Sequence, residues 1–428
     1  MEISTLEGSV SKAVLDNGIR VVCEHIPHMN SVSIGVYLNT GTRYENQTNN
    51  GICHFLEHLA FKGTDRRTHI QIAKDMDSIG GEFDAFTSHE STCFSATVLG
   101  KDLPFALDLI SDLVVHSNFP APEVIKERGV VLEEIRTVED DPEEFVNDLL
   151  YEIMFARHPL GKPILGTKET VGEFEREHIV EFRDSTYTGD NLVLAAAGDI
   201  EFTDLLSLAE NYFSKIPIKS NIERNFFQPE ISSHTQVIKR EFEQVHFCFG
   251  TLGLPITSED RFAGYLLNNI LGGNFSSRLF QKIREEHGLC YSIYSYLNCH
   301  TDTGLLGVYG ATALKTFPFV IDLMMGEMEQ IQKEPVAKDE LERVKNQFRG
   351  NLILSLEDSA HRMSQLAKQE IYFDQFISLA EVIEEVNRVT LEQIQKLANE
   401  LIDEKFYNLV VMGDISKTEG LDLQIPMG

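Results

Sequence analysis

The chain has 428 residues, 42% hydrophobic and 24% charged, the composition of an ordinary globular protein and enough length for two domains. Its 37 basic and 67 acidic residues give a net charge of −30, which argues against nucleic acid or an anionic membrane as partner and suits basic ligands. No apolar run approaches the roughly 18 residues that span a bilayer. Met1-Glu2-Ile3-Ser4 lacks the basic start and apolar core of a signal peptide, so a cytoplasmic location is expected. The six cysteines (23, 53, 93, 248, 290 and 299) form no C-x-x-C pair and are expected to be reduced structural thiols.

Taken in order, Lys12 to Leu15 and Ile19 to Glu24 flank Asp16-Asn17-Gly18, a hairpin signal, and Ser31 to Leu38 alternates as a third strand. A loop from Gly41 then leads to His54-Phe55-Leu56-Glu57-His58, which reads H-x-x-E-H. Residues i and i+4 of a helix share a face, so both imidazoles can meet one metal ion. Glu57, next to the second histidine, can reach a water on that ion, the inverted order of the zinc-peptidase helix. The apolar neighbours Ile52, Leu59 and Phe61 make this a buried helix, where His and Glu need partners. Two histidines do not complete a catalytic zinc, which takes a third protein ligand and keeps one position open.

Thr68 caps a helix expected to run to Ile79 and to stop at Gly80-Gly81. Glu82 to Ser88 and Thr92 to Leu99 read as paired strands, and Leu103 to His116 as a helix. Pro122 suits the first turn of another helix, expected to pass Glu134 and to break at Asp141-Pro142. On it Glu127 and Glu134 stand two turns apart and project from one face, whereas Glu133 points elsewhere. Either the missing ligand or an exposed acidic stripe accounts for them.

Asn191 to Ile200 and Asn408 to Ile415 are similar buried strands, each preceded by an amphipathic helix (Glu175 to Phe182, Leu391 to Leu401). Leu103 to His116 is echoed by Phe317 to Glu329, and the Pro122 helix by Lys338 to Leu354. An internal duplication is therefore expected, with residues 1–215 as the metal-bearing half, 216–233 as linker and 234–428 as the second half. In that second half Gly264 to Gly273 replaces the histidine helix, and Phe348-Arg349-Gly350 stands near the counterpart of Glu134. One half bears the metal residues. The other is left to grip substrate.

Taken with Gly80 to Ser88, Val130 to Ile135, His158 to Thr167 and Phe275 to Tyr291, these features resemble the pitrilysin-type (inverzincin) zinc metallopeptidases. They are most similar to bacterial homologues of the mitochondrial processing peptidase β-subunit. The resemblance covers nearly the whole chain. It implies an α+β fold of two homologous α/β-roll domains, each a mixed, mostly antiparallel sheet with helices on one face, forming a clamshell. It implies one Zn2+ per chain on His54, His58 and Glu134, Glu57 as general base, and Glu127 supporting the site. Arg284 and Tyr291 match a pair that binds the substrate or its tetrahedral intermediate; read without the resemblance they are a surface ion-pairing residue and a strand core residue. Asp84, Ala85 and Phe86 match the edge strand to which a substrate backbone adds. The activity implied is endopeptidase cleavage of extended or unfolded peptides, presequence-like or oligopeptide, in a closed chamber, by a monomer, a homodimer or a heterodimer with a paralogue. The alternative is a non-catalytic structural or partner subunit, to which the intact metal motif runs counter.

Overall fold

The computed structural model describes residues 8–219, 222, 224 and 226–414; the Met1–Ser4 start and Ile415 lie outside the described residues. The first half of the chain runs β1 (Ser9–Val14), β2 (Arg20–His25), β3 (Ser31–Leu38), α1 (Ile52–Ala60), α2 (His69–Ile79), β4 (Glu82–Thr87) and β5 (Thr92–Leu99). It continues through α3 (Leu103–His116), α4 (Ala121–Asp140), α5 (Pro142–Met154), α6 (Lys168–Gly172), α7 (Arg176–Thr186), β6 (Leu192–Gly198) and α8 (Phe202–Phe213). The second half runs β7 (His234–Lys239), β8 (Val245–Leu252), α9 (Arg261–Leu271), a π-helical segment (Phe280–Glu286), β9 (Cys290–Cys299) and β10 (Gly304–Thr312). It ends with α10 (Phe317–Lys333), α11 (Lys338–Ser355), α12 (Ser359–Phe373), α13 (Leu379–Arg388), α14 (Leu391–Leu401) and β11 (Asn408–Gly413).

The two sheets have orders β1-β2-β6-β3-β5-β4 and β7-β11-β8-β10-β9. In each, one pair is parallel, β2 with β6 and β7 with β11, and the others are antiparallel. Strand for strand, β2-β6-β3-β5-β4 and β7-β11-β8-β10-β9 share one plan. The repeats expected from the sequence are thus repeats of topology.

The fold is mixed α+β in two compact units, and the units are not contiguous in sequence. Unit 1 comprises the chain up to Arg136, Lys162–Asn225 and Leu352–Ala380. Unit 2 comprises Thr137–Gly161, Phe226–Asn351 and Glu381 onward. One change of unit falls inside the 216–233 stretch. The division at 1–215 and 234–428 does not anticipate the two exchanged segments, α5 and α12. Asp141-Pro142 ends α4 as expected but also begins α5: the Asp141 carboxylate accepts from the Glu143 and Glu144 N–H groups, and Pro142 occupies the first turn.

Each exchanged helix covers a sheet face, so helices lie on both faces instead of one. In unit 1, α3 and α8 bury one face around Ile34, Val36, Ala96 and Leu194. On the other face Met363, Leu366 and Ala367 of α12 pack against Val22, Tyr37, Val193 and Ala195. In unit 2, Val146, Leu150 and Met154 of α5 pack against Cys248, Leu305, Val410 and Met412. Glycine marks both crossings: a Cβ on Gly35 of β3 would lie 2.7 Å from Met363 Sδ, and one on Gly250 of β8 2.9 Å from Leu150. All six cysteines are free and five are buried, as expected.

The α12 seat is polar at one point. Arg362 donates from Nε to Glu24 Oε2 at 2.9 Å and also pairs with the other carboxylate oxygen, and both side chains are buried. Removing one partner leaves a charge buried alone. Arg362→Leu is therefore expected to lower unfolding free energy by roughly 3–5 kcal/mol in urea titrations, and the double variant Glu24→Leu/Arg362→Met to recover most of it.

Candidate active site

The histidine helix α1 has nine residues and needs external support at its ends. Its N-terminus is held by Glu45, whose carboxylate accepts from Gly51 N at 2.7 Å, Cys53 N at 2.8 Å and Asn50 Nδ2 at 2.9 Å. Burial pushes the Glu45 carboxyl up to about 7, against the pull of those N–H groups. Gly51 takes φ +91°, and a Cβ there would meet Leu165 O at 2.6 Å, so only glycine fits. Beyond the C-terminus, the carboxylate of Asp112 on α3 accepts from Thr64 at 2.7 Å and from Arg66 and Arg67 at 2.8 Å.

The apolar stripe of α1 (Ile52, Phe55, Leu56, Leu59) packs with Val124, Val131 and Ile135 of α4 and with Phe174 and Ile179 around α7. That contact fixes how α1 and α4 meet, and it leaves His54 and His58 to face the carboxylates of α4. His54 Nε2 stands 3.7 Å from Glu134 Oε1, and His58 Nε2 stands 3.4 Å from Glu134 Oε2. Ligand atoms of the three residues lie within 4.8 Å of one another, the one such group among the described residues. These separations are long for hydrogen bonds. They are close to those of donors sharing one tetrahedral ion at about 2.0–2.2 Å, which stand about 3.3–3.6 Å apart. Glu134 Oε2 is buried without a hydrogen-bond partner, as is His54 Nδ1. The donor set, two imidazoles and one carboxylate, is that of a catalytic zinc site.

Glu127 does not join the three. It pairs with His58 Nδ1 at 3.0 Å and with Lys62 Nζ at 2.9 Å. An Nδ1–H donated to Glu127 leaves the His58 Nε2 lone pair toward Glu134. Burial would raise the Glu127 carboxyl, but His58 and Lys62 outweigh it and hold it below the usual range. Burial, with the neighbouring His58, pushes His54 down to about 3, so its ring is neutral, as a ligand must be. Burial also works against charge on His58, yet Glu127, Glu134 and Glu57 together raise it. Burial raises Glu57, opposed by a hydrogen bond from Thr87 Oγ1 to Glu57 Oε2 at 2.6 Å. Glu133 points away and pairs with Arg136.

Asp84, Ala85 and Phe86 lie on β4, whose one partner in the sheet is β5, so its other edge is unpaired within that sheet. In unit 2, Arg284 and Tyr291 line a cavity of 420 Å³ together with Phe275, Phe280, Ile293 and Gln347. The Arg284 guanidinium lies 4.7 Å from the Phe280 ring centroid and 5.0 Å from that of Tyr291. Tyr291, at 78% exposure, is not a core residue. The sequence reading missed Glu45, Lys62 and Thr87. Lys62 was within reach, since it stands one turn beyond His58 on the same face. Glu45 acts through the backbone and carries no periodic signal.

Fold and site together define a two-unit α+β protein with a histidine–carboxylate centre of the inverted peptidase type. The family described as insulinase (peptidase family M16) matches residues 20–168, and that described as peptidase M16 inactive domain matches residues 173–348. A Bacillus subtilis protein named as an uncharacterized zinc protease is 38% identical over 93% of this chain and 97% of its own length. A Mycobacterium bovis protein with the same description is 35% identical over 97% and 95%. The crystal structure of a protease from Helicobacter pylori superposes with a TM-score of 0.89 at 19% identity, over 95% of this chain and 99% of that one. The chain belongs to the peptidase M16 family.

Two outcomes follow from the supports of the site. Glu127→Ala frees the His58 ring, and metal affinity measured against a competing chelator is expected to fall about 10–100-fold. Asp112, which burial alone would raise, is held below 3.8 by Arg66, Arg67 and Thr64. Its contribution is present above pH 3.8 and is lost as pH falls through the depressed value. Asp112→Asn should thus lower the urea midpoint at pH 7, with the difference from wild type shrinking toward pH 3.

Proposed function

We propose that this protein is a zinc-dependent endopeptidase acting on extended or unfolded peptides, presequence-like or oligopeptide, with one Zn2+ per chain held by His54, His58 and Glu134. The observation that carries the reading is the approach of those three donors to one point, with Glu57 next to His58 on the same helix. Zinc, when bound, supplies a Lewis acid and lowers the pKa of a water toward neutrality. Glu57 takes a proton from the attacking water and returns it to the leaving amine. Glu127 keeps the His58 ring in one tautomer and orientation. Asp84, Ala85 and Phe86 offer a strand edge to the substrate backbone, and such an edge accepts extended chains, not folded ones. Arg284 and Tyr291 hold the peptide. A second half without metal residues, with Phe348-Arg349-Gly350 near the counterpart of Glu134, agrees with a division between chemistry and grip.

The test is metal analysis combined with cleavage of a fluorogenic peptide library. We expect one zinc per chain, chelator-sensitive cleavage, and a Glu57→Gln variant that keeps its zinc and loses at least about 100-fold in turnover. Zinc-loaded Glu57→Gln with full activity would remove Glu57 as the base. A wild-type chain with neither zinc nor cleavage would favour a structural subunit.

A further inference from the structure

We propose that Thr87 is a positioning residue for the reaction: its hydroxyl clamps one oxygen of Glu57 so that the other is presented to the attacking water. The inference rests on the function proposed above and adds a residue to it.

The strand pattern brings Thr87 to Glu57. Along β4, Phe83 and Ala85 pack into the cluster beneath α2 and α3, whereas Phe86 packs with Tyr37 on the opposite face. Alternation therefore turns Thr87 toward the face that carries α1. There its Oγ1 donates to Glu57 Oε2 at 2.6 Å, a charge-assisted length. A hydroxyl has one proton to give. The other hydroxyl nearby, Thr92 Oγ1, is 3.5 Å away and donates its own proton to Thr40 O at 3.1 Å. The Thr87 proton is thus committed to Glu57.

A carboxylate on a two-carbon stem otherwise samples several rotamers, and a base must lie within about 3 Å of the proton it removes. A fixed Oε2 restricts Oε1 to a small arc. Thr87 is also the last residue of β4, so the clamp links the base to the strand that offers its edge to the peptide.

Two substitutions separate this role from a structural one. Thr87→Val keeps the shape and strand preference and removes the hydroxyl; Thr87→Ser keeps the hydroxyl. We expect Thr87→Val to lower kcat about 10–100-fold, with KM, zinc content and melting temperature close to wild type. Thr87→Ser should stay within about threefold of wild type. In a Glu57→Gln background, Thr87→Val should add little, because the group it orients is gone. Cobalt-substituted protein gives a readout apart from turnover: its visible bands should differ from wild type in Thr87→Val and match it in Thr87→Ser.

A Thr87→Val enzyme with wild-type kcat overturns the proposal, as do unchanged cobalt bands. So does a loss of kcat matched by loss of metal or melting temperature, which would make Thr87 a structural hairpin residue. If wild type itself neither binds metal nor cleaves peptide, the proposed function fails and the role of Thr87 fails with it. That result is distinct from an active wild type with an equally active Thr87→Val.

Discussion

Three donors from two helices arrive at one point, and the packing of α1 against α4 and α7 brings them there. His54 and His58 come from a nine-residue helix, and Glu134 comes 76 residues after His58. A helix that short is marginal by itself. It is fixed by a buried carboxylate at its N-terminus, by a glycine that lets the backbone of Leu165 and Gly166 approach, and by the apolar stripe against α4 and α7. The stripe sets the separation of the helices, and the separation sets the distances of 3.4 and 3.7 Å between imidazole and carboxylate.

The same centre gathers three glutamates, and their surroundings differ. Glu127 is held charged by Lys62 and His58 and spends its charge on orienting a ring. Glu134 keeps a buried oxygen unpartnered, as a ligand of the proposed metal would. Glu57 is raised by burial and tied by one hydroxyl; as the base proposed above it would pick up a proton and release it. In the proposed reaction, partners alone would separate these identical side chains in role.

Much of this was legible in the sequence, for definite reasons. The Thr68 cap, β3, β5 and α3 show in period and punctuation, and the structure has them within a residue or so of the expected bounds, while the histidine motif lies on a helix as its spacing implied. Glu127 and Glu134 share a face because seven residues are two turns. What stayed hidden depends on distance in space. The exchange of α5 and α12 leaves no local mark, since a helix pattern does not say which sheet it covers; Asp141-Pro142 reads equally as an end and as a beginning. Thr87 sits in a stretch readable as a strand, but its donation to Glu57 exists only once α1 lies across β4. Arg284 and Tyr291 are a pair only when the π-helical segment brings the guanidinium over the ring.

The duplication shows how packing and chemistry come apart on one scaffold. Helix α9 takes the place of α1 and buries Phe262, Leu266, Leu267 and Ile270, so it keeps the packing task. Its polar residues serve another end: Ser295 on β9 donates to Asn268 Oδ1 at 2.7 Å, and Asn274 donates to Asn269 O at 2.9 Å. Gly272 lies so close to β9 that a Cβ would fall 2.5 Å from Ser295 N. These bonds fix the Gly272–Phe275 segment along the wall of the cavity that Arg284 and Tyr291 share. Because the apolar stripe bears the packing in both helices, the polar positions were free to diverge without cost to either core.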